Sequence, residues 1–461
     1  MTPPRPGAYR SGIGAALPGW RREALRTTFW LVPTLLVVVA AVMFVVTFSI
    51  DLAAYHGDLT LPFWIRTGSA DAGRQVLIAI AAAIITVVGV VFSITILALT
   101  LASQQFGPRM MRNFVRDLGN QMTLGVFVAS FVYAVMALGS ITGSSSRAFV
   151  PHLSITVAEA LLMVDLAVLI YFIHHIAKSI QLPEVIAGIA RDLMRAIDIE
   201  FPATTHTGRP ADLPAGAGRS VTELLRVIDG RGSVVPAARS GYLQFVGYAQ
   251  LVDIAMHTDS VIRLHHRPGH FLIAGHPVAS VWPGGAAKQV SEHLARAHIT
   301  GPHRTLTQDP VFAIDQLVEI AIRALSPAVN DTFTALTCID WLAAGLSRVS
   351  SRQLVEGVYR DKLGQIRLIE SDPSYSRLVN RAFDKVRQAA RGMPAVLIRL
   401  LTAIESIMRD TASEEQRAVL LRQAEMILLN AKQSVTDSND LSDIETRFET
   451  VMAGTGGSSS V

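Results

Sequence analysis

The stretch Leu161–His175 reads LLMVDLAVLIYFIHH, twelve apolar or nearly apolar residues out of fifteen, with Asp165 in the middle. Apart from that carboxylate it has the composition of a bilayer-crossing helix, and it lies inside a longer run, Ser154–Ala177. Three more runs share the character and carry no charged residue: Phe29–Ile50, Val76–Leu101 and Met122–Ile141. A spanning helix needs about 20 predominantly apolar residues, and four such runs in succession are not what a soluble core supplies. The sequence therefore predicts a membrane α-helical domain of four transmembrane helices over residues 28–177. The first run is too long for a signal-peptide core and has no small-residue cleavage site, so it reads as a span.

Composition agrees. Hydrophobic residues make up 50% of the 461 and charged residues 17%, with a mean hydropathy of +0.37. Ordinary soluble domains carry about 25% charged residues, and the deficit lies in the first 180 positions. A net charge of +4 and a pI near 9.3 leave no footprint for nucleic acid. Cys338 is the sole cysteine, so no intrachain disulfide can form.

Short-loop arginines set the predicted orientation. Arg5, Arg10, Arg21, Arg22 and Arg26 precede the first span, and Arg109, Arg112 and Arg116 lie between the second and third. The other loops hold only Arg66, Arg74 and Arg147. Both termini of this multi-pass protein are thus placed in the cytoplasm. Residues 1–27 form a cytoplasmic lead, and 107–119, opened by Gly107-Pro108, reads as an amphipathic interfacial helix. Its arginines, at i, i+3 and i+7, suit anionic lipid headgroups or a positive ring at a pore mouth.

Several polar residues fall inside the apolar runs. A mid-span carboxylate costs several kcal/mol unless it is paired, hydrated or protonated. No Lys or Arg lies in any span to pair Asp165. It must be protonated, bonded to hydroxyls such as Tyr133 or those of the second span, or exposed to a water-filled cavity. Glu159 lies nearer the outer leaflet. Thr86, Ser93 and Thr100 recur every seven residues with Gly89 close to their face, either as a helix-packing stripe or as the lining of a permeation route.

Beyond the spans, residues 178–232 read as a helix followed by a Pro/Gly/Ala-rich linker, and 233–287 as a β-rich, barrel-sandwich module interrupted by a helix at Tyr248–Asp259. The pattern around SGYLQFV and PGHFLIAGHPVASV resembles a small lipoyl-like β module, although no lysine stands where a carrier would hold its prosthetic group. Eight histidines between His257 and His303 match no compact ligand spacing, so no metal or other cofactor is expected. Residues 288–453 read as a helical bundle and 454–461 as a disordered Gly/Ser tail. The fold class is then four transmembrane helices plus a cytoplasmic α+β domain. Within it, Asp309 and Asp331 are helix N-caps flanking the turn SPAVND, where Arg323, Ser326, Asn330, Asp331 and Thr334 form a candidate pocket. No nucleophile, phosphate-loop or metalloprotease motif is present.

Two stretches carry a family resemblance. VFSITILALTLASQQFGPRMMRNFVRD (Val91–Asp117) and QDPVFAIDQLVEIAIRALSPAVNDTFTALTCIDWL (Gln308–Leu342) resemble hallmark segments of a bacterial predicted-membrane-protein family, domain of unknown function 2254. With SGYLQFV and RPGHFLIAG, the likeness covers about residues 20–430. It implies a bacterial membrane protein with four spans and a cytoplasmic domain, and brings no mechanism with it. Three functions stay open: a homo-oligomeric ion channel or ion-coupled transporter gated by the cytoplasmic domain, a membrane-anchored scaffold or sensor, and a membrane enzyme built on Asp165 and Glu159.

Overall fold

The structure is a computed structural model that describes residues 30–60, 62, 65, 68–106, 117–142, 149–201, 220–352, 357–370, 374–411 and 413–453. The N-terminal lead, the interfacial stretch through residue 116 with Arg109, Arg112 and Arg116, the linker at 202–219 and the tail lie outside the described residues. The chain divides into two units, the boundary falling between Val185 and Ile186.

The first unit is built from α1 (Leu31–His56), α2 (Ala70–Phe106), α3 (Leu118–Gly139) and α4 (His152–Ser179), each long and apolar enough to cross a membrane. The position predicted to close the interfacial helix instead starts α3, whose first residue is Leu118 and whose N-cap is Asp117. The third helix is central: α1, α2 and α4 all pack on it. Inward positions follow helical spacing, with Ala40, Phe44, Thr47 and Asp51 of α1 at i, i+4, i+7 and i+11. The outward face is apolar, with Leu35, Val42, Ile85, Leu97, Met163 and Ile170 all exposed. Apolar outside and polar inside is the arrangement hydrocarbon requires, because the outside meets only lipid tails.

Helix α1 crosses α3 at Gly125. A Cβ there would sit 2.6 Å from Leu36 Cδ1 and 3.0 Å from the Pro33 backbone. Small residues at such crossings let backbones approach closely.

The second unit opens with α5 (Leu182–Glu200), which begins two residues after α4 ends, and α6 (Val221–Arg231). Strands β1 (Ser233–Pro236) and β2 (Gly241–Val246) precede α7 (Tyr248–His257). Strands β3 (Val261–Leu264), β4 (Phe271–Leu272) and β5 (Pro277–Trp282) follow, then α8 (Ala287–Ala297) and β6 (His298–Gly301). Helices α9 (Pro310–Ala324) and α10 (Thr332–Ser350) come before a hairpin, β7 (Val358–Arg360) and β8 (Ile366–Ile369). Four helices close the unit: α11 (Tyr375–Ala389), α12 (Pro394–Arg409), α13 (Glu414–Ser434) and α14 (Ser438–Ala453).

The strands make one sheet ordered β1-β5-β3-β8-β7, in which only the β3–β8 pairing is parallel, and a second ordered β4-β2-β6. This differs from the lipoyl-like module expected over 233–287. Those strands are not self-contained, since β6 completes one sheet and the later hairpin extends the other. Both sheets share a core with α7 and α8 through Leu243, Leu251, Ile262, Val281, Val290 and Leu368. The C-terminal helices bury Val379, Phe383, Leu397, Leu400, Ile404 and Leu420 completely, each contributing about 1.5–3 kcal/mol.

Gly125→Leu is expected to force α1 and α3 apart and lower stability by about 1–3 kcal/mol. Thermal unfolding of the full chain in lipid nanodiscs measures this; an unchanged midpoint would place the helix crossing elsewhere.

Candidate functional site

Polar side chains are buried at three levels of an otherwise apolar four-helix interior, at its two ends and at its middle. At one end the first turn of α4 has backbone N–H groups without intrahelical partners. Asp51 of α1 supplies the acceptor, taking Leu153 N at 2.8 Å and Ser154 N at 2.9 Å. Its buried carboxylate is also favoured by the positive end of the α4 dipole. From it runs a chain of oxygens: Asp51 Oδ2 to Ser154 Oγ at 2.7 Å, Ser154 Oγ to Thr47 Oγ1 at 3.2 Å, and Thr47 Oγ1 to the Tyr133 hydroxyl at 2.8 Å. Ser154 shares its one hydroxyl proton between Asp51 and Thr47, and Thr47 also donates to the Phe44 carbonyl at 3.0 Å.

Asp165 sits at the midpoint of α4, three turns and about 16 Å beyond Ser154 on nearly the same face. It is 3% exposed. Ser130 of α3, one turn from Tyr133, donates to Asp165 Oδ1 at 3.0 Å. The other carboxylate oxygen, Oδ2, has no hydrogen-bond partner among the described residues. The hydroxyl that holds Asp165 is therefore that of Ser130, on the same third span as the expected Tyr133 and not on the second-span stripe. Ser130 is one of few polar residues in an otherwise apolar run, and that was the available signal.

At the far end Asp117 caps α3, accepting from Gly119 N at 2.7 Å and Asn120 N at 3.3 Å. His175 Nε2 meets the same carboxylate oxygen at 2.9 Å, and its ring stacks on Tyr171 at 5.4 Å. A Cβ at position 119 would lie 2.6 Å from His175 Nε2, so glycine is what admits the imidazole. One turn along, the carboxamide of Asn120 is buried with neither polar atom bonded. Between the central pair and this end fall Phe127 on α3 and Phe172 on α4, each 1% exposed, which interrupt the polar column with apolar bulk.

Thr86, Ser93 and Thr100 do not join this interior. All three are exposed on α2 and turn their hydroxyls back to their own helix, to the carbonyls of Ala82, Gly89 and Ile96. Glu159 is half-buried on a different side of α4 from Asp165.

In the second unit the candidate pocket at the turn between α9 and α10 is turn-and-cap chemistry. Asp331 accepts from Thr334 N and Oγ1, Ser326 Oγ donates to the Arg323 carbonyl, and Asn330 adopts a left-handed φ of 48° on the exposed turn. These groups cap α10 and close the turn. The histidine-rich region places His257 and His293 on a cleft of about 500 Å³ between α7 and α8. No group of three or more metal-ligating side chains occurs among the described residues.

Sequence reading missed two buried ionic clusters here. Arg304 donates to both oxygens of Asp309, at 2.8 and 2.9 Å, and to Asp315 at 2.7 Å, while Arg381 also pairs with Asp315. Arg267 joins Glu200 at the end of α5 to Glu370 after β8. The partners stand 67 and 103 positions from Arg267, beyond any local pattern. His270 lies beside them. Burial and the nearby cations Arg377, His266, Arg267 and Arg304 push its pKa down to about 4.

Arg304→Met strands Asp309 as an unpaired buried charge and is expected to cost about 3–5 kcal/mol, read as a fall in the denaturation midpoint. For His270 the folded value lies below the free value of 6.5. The unfolded chain therefore binds the extra proton between about pH 6.5 and 4, and stability falls across that window. His270→Gln should remove that part of the acid sensitivity, measured by thermal midpoints across pH.

Comparison with known proteins fits this architecture. The family model described as "Predicted membrane protein (DUF2254)" matches residues 26–406. The chain is 30% identical over 379 residues, 81% of its length and 71% of theirs, to the uncharacterized proteins Mb1321c of Mycobacterium bovis and Rv1290c of Mycobacterium tuberculosis. No solved structure matches it. The chain belongs to the DUF2254 family of predicted membrane proteins.

Proposed function

We propose that the four-helix unit is a transmembrane pathway for a small ion, with the proton as the species its groups handle and Asp165 as the central exchange point. The observation that carries this is a buried carboxylate at the midpoint of an apolar helix, held by one hydroxyl and with its second oxygen buried and unbonded among the described residues. A carboxylate kept only as interhelical glue would be expected to use both oxygens. The other interior groups are also proton exchangers: the Asp51–Ser154–Thr47–Tyr133 chain at one end and the His175–Asp117 pair at the other. A dehydrated divalent cation needs about six oxygen ligands, and Asp165 has only Ser130 beside it among the described residues. Phe127 and Phe172 supply the apolar barrier that makes such a route a gated one rather than an open pore.

The rest of the reading follows from the arginine distribution. The termini and the second unit lie in the cytoplasm of a bacterial plasma membrane, and the arginines at 109, 112 and 116 meet anionic lipid headgroups. The outward hydroxyl stripe of α2, with open space around Gly89, offers a face on which a second copy packs. The second unit acts as the gate through α5, which continues the chain from the last span.

Purified protein in liposomes should dissipate a pH gradient, and Asp165→Asn should slow that flux by about a hundredfold while leaving the protein folded. Vesicles that remain tight across ions and pH would sink this reading and leave a tethered scaffold.

A further inference from the structure

The end of α5 is gripped by more groups than a helix terminus requires. Its last carbonyls are already served: Arg352 donates to the carbonyls of Ile197 (3.2 Å) and Phe201 and pairs with Asp198, which Arg348 also holds through both oxygens at 2.9 Å. That clamp holds the helix end through the Ile197 and Phe201 carbonyls and the Asp198 side chain. Glu200 adds a second attachment of another kind. Its side chain, 9% exposed, meets Arg267 in the turn after β3, and Arg267 Nε lies 3.3 Å from Glu370, 2% exposed, after β8.

Two carboxylates thus share one guanidinium. Asp309 at the start of α9 faces Glu200 as a third carboxylate, itself paired with Arg304 through both oxygens. Tyr248 of α7 donates to Glu370 Oε1 at 2.6 Å, and Tyr359 of β7 stacks on Tyr248 at 4.9 Å and lies 3.5 Å from Glu370 Oε2. With two hydroxyls and the arginine, Glu370 is the better-solvated anion. Glu200 has only the shared arginine.

We propose that the Glu200–Arg267–Glu370 cluster is a proton-binding site, and that its single proton sets how tightly the end of α5 is held to the two-sheet core. With the proton on Glu200, one carboxylate balances one arginine and the contact is neutral. Without it, a net negative charge is buried and the helix end is released more readily. Glu200 is pushed up to about 7 by burial and by the adjacent Glu370 and Asp309, with Arg267 opposing. The proton belongs to the acid pair as a unit.

The sign follows from linkage. The held state binds the proton with an affinity near pH 7 and the released state near the ordinary 4.5. Opening therefore becomes easier as pH rises between these values, by about tenfold per pH unit, and levels off above about 7. If the transport reading holds, this is where the pH of one compartment reaches the helix following the last span; that clause alone rests on it.

The test is hydrogen exchange of the full chain in nanodiscs from about pH 5 to 8, with intrinsic exchange divided out. Peptides covering Ile197–Phe201 should exchange progressively faster up to about pH 7 and then plateau. Glu200→Gln should hold them at the slow, low-pH level throughout. Glu370→Gln, which leaves Glu200 its own arginine, should move the rise below about pH 5. A flat wild-type profile, or a rise that persists in Glu200→Gln, overturns the proposal, and the Glu370 variant decides it should the first fail to fold. No gradient or flux enters the measurement, so tight vesicles leave it standing.

Discussion

Satisfying a buried carboxylate is the constraint on which the first unit turns. Four helices with apolar outer faces can be pushed together by little else, because lipid tails compete equally for their leucines and valines. What fixes their register is polar. Asp51 ties the end of α1 to the first turn of α4 through two backbone amides and a hydroxyl. Asp117 ties the start of α3 to the end of α4 through His175. Both carboxylates sit on helix N-termini, where the dipole favours them. Asp165 sits where no helix end can help, and its burial matches that of Asp51. The contrast between them separates a carboxylate that builds the bundle from one the bundle accommodates at a cost.

The central place of α3 follows from the same constraint. It contacts each of the other three helices, as α4 also does, and polar residues on these two helices find partners within reach. Thr47, Ser154 and Tyr133 converge there from α1, α4 and α3. Thr86, Ser93 and Thr100 on α2 face outward and fold back on their own backbone. A threonine that bonds its i−4 carbonyl is satisfied without any partner helix, so it tolerates a lipid-facing position that an aspartate does not.

Spans, caps and most strands were legible because they rest on local signals. The four apolar runs, Asp309 before Pro310, Asp331 before Thr332 and the strands around SGYLQFV all follow short-range rules of period and capping. The hairpin of β7 and β8 was missed although VYRDKLGQIRLI carries a strand-turn-strand pattern with glycine in the turn. Ser130 as the partner of Asp165, and Arg267 as the partner of Glu200, were out of reach for a different reason. Which residue meets which across 35 or 67 positions depends on helix packing and sheet order, and neither has a sequence period. At residues 323–334 the caps and the turn between two helices concentrate polar residues for backbone reasons.

Both units place a carboxylate where the surrounding protein under-serves it, and the comparison between them is instructive. In the second unit Asp309 has a bidentate arginine and a backbone amide, and Asp361 has Arg367 with two backbone amides. Those acids are structural, and each could be exchanged for an apolar pair of similar volume only by rebuilding the turn it organises. Glu200 organises no turn. The helix end it follows is closed by Arg352, and Glu200→Leu would bury equally well against the aliphatic part of Arg267. An ionisable side chain held at such a position, against a second acid and with half of one arginine, adds nothing to packing that a neutral residue would not supply. What it adds is a dependence on the proton, and that dependence falls on the helix through which the second unit is continuous with the last span.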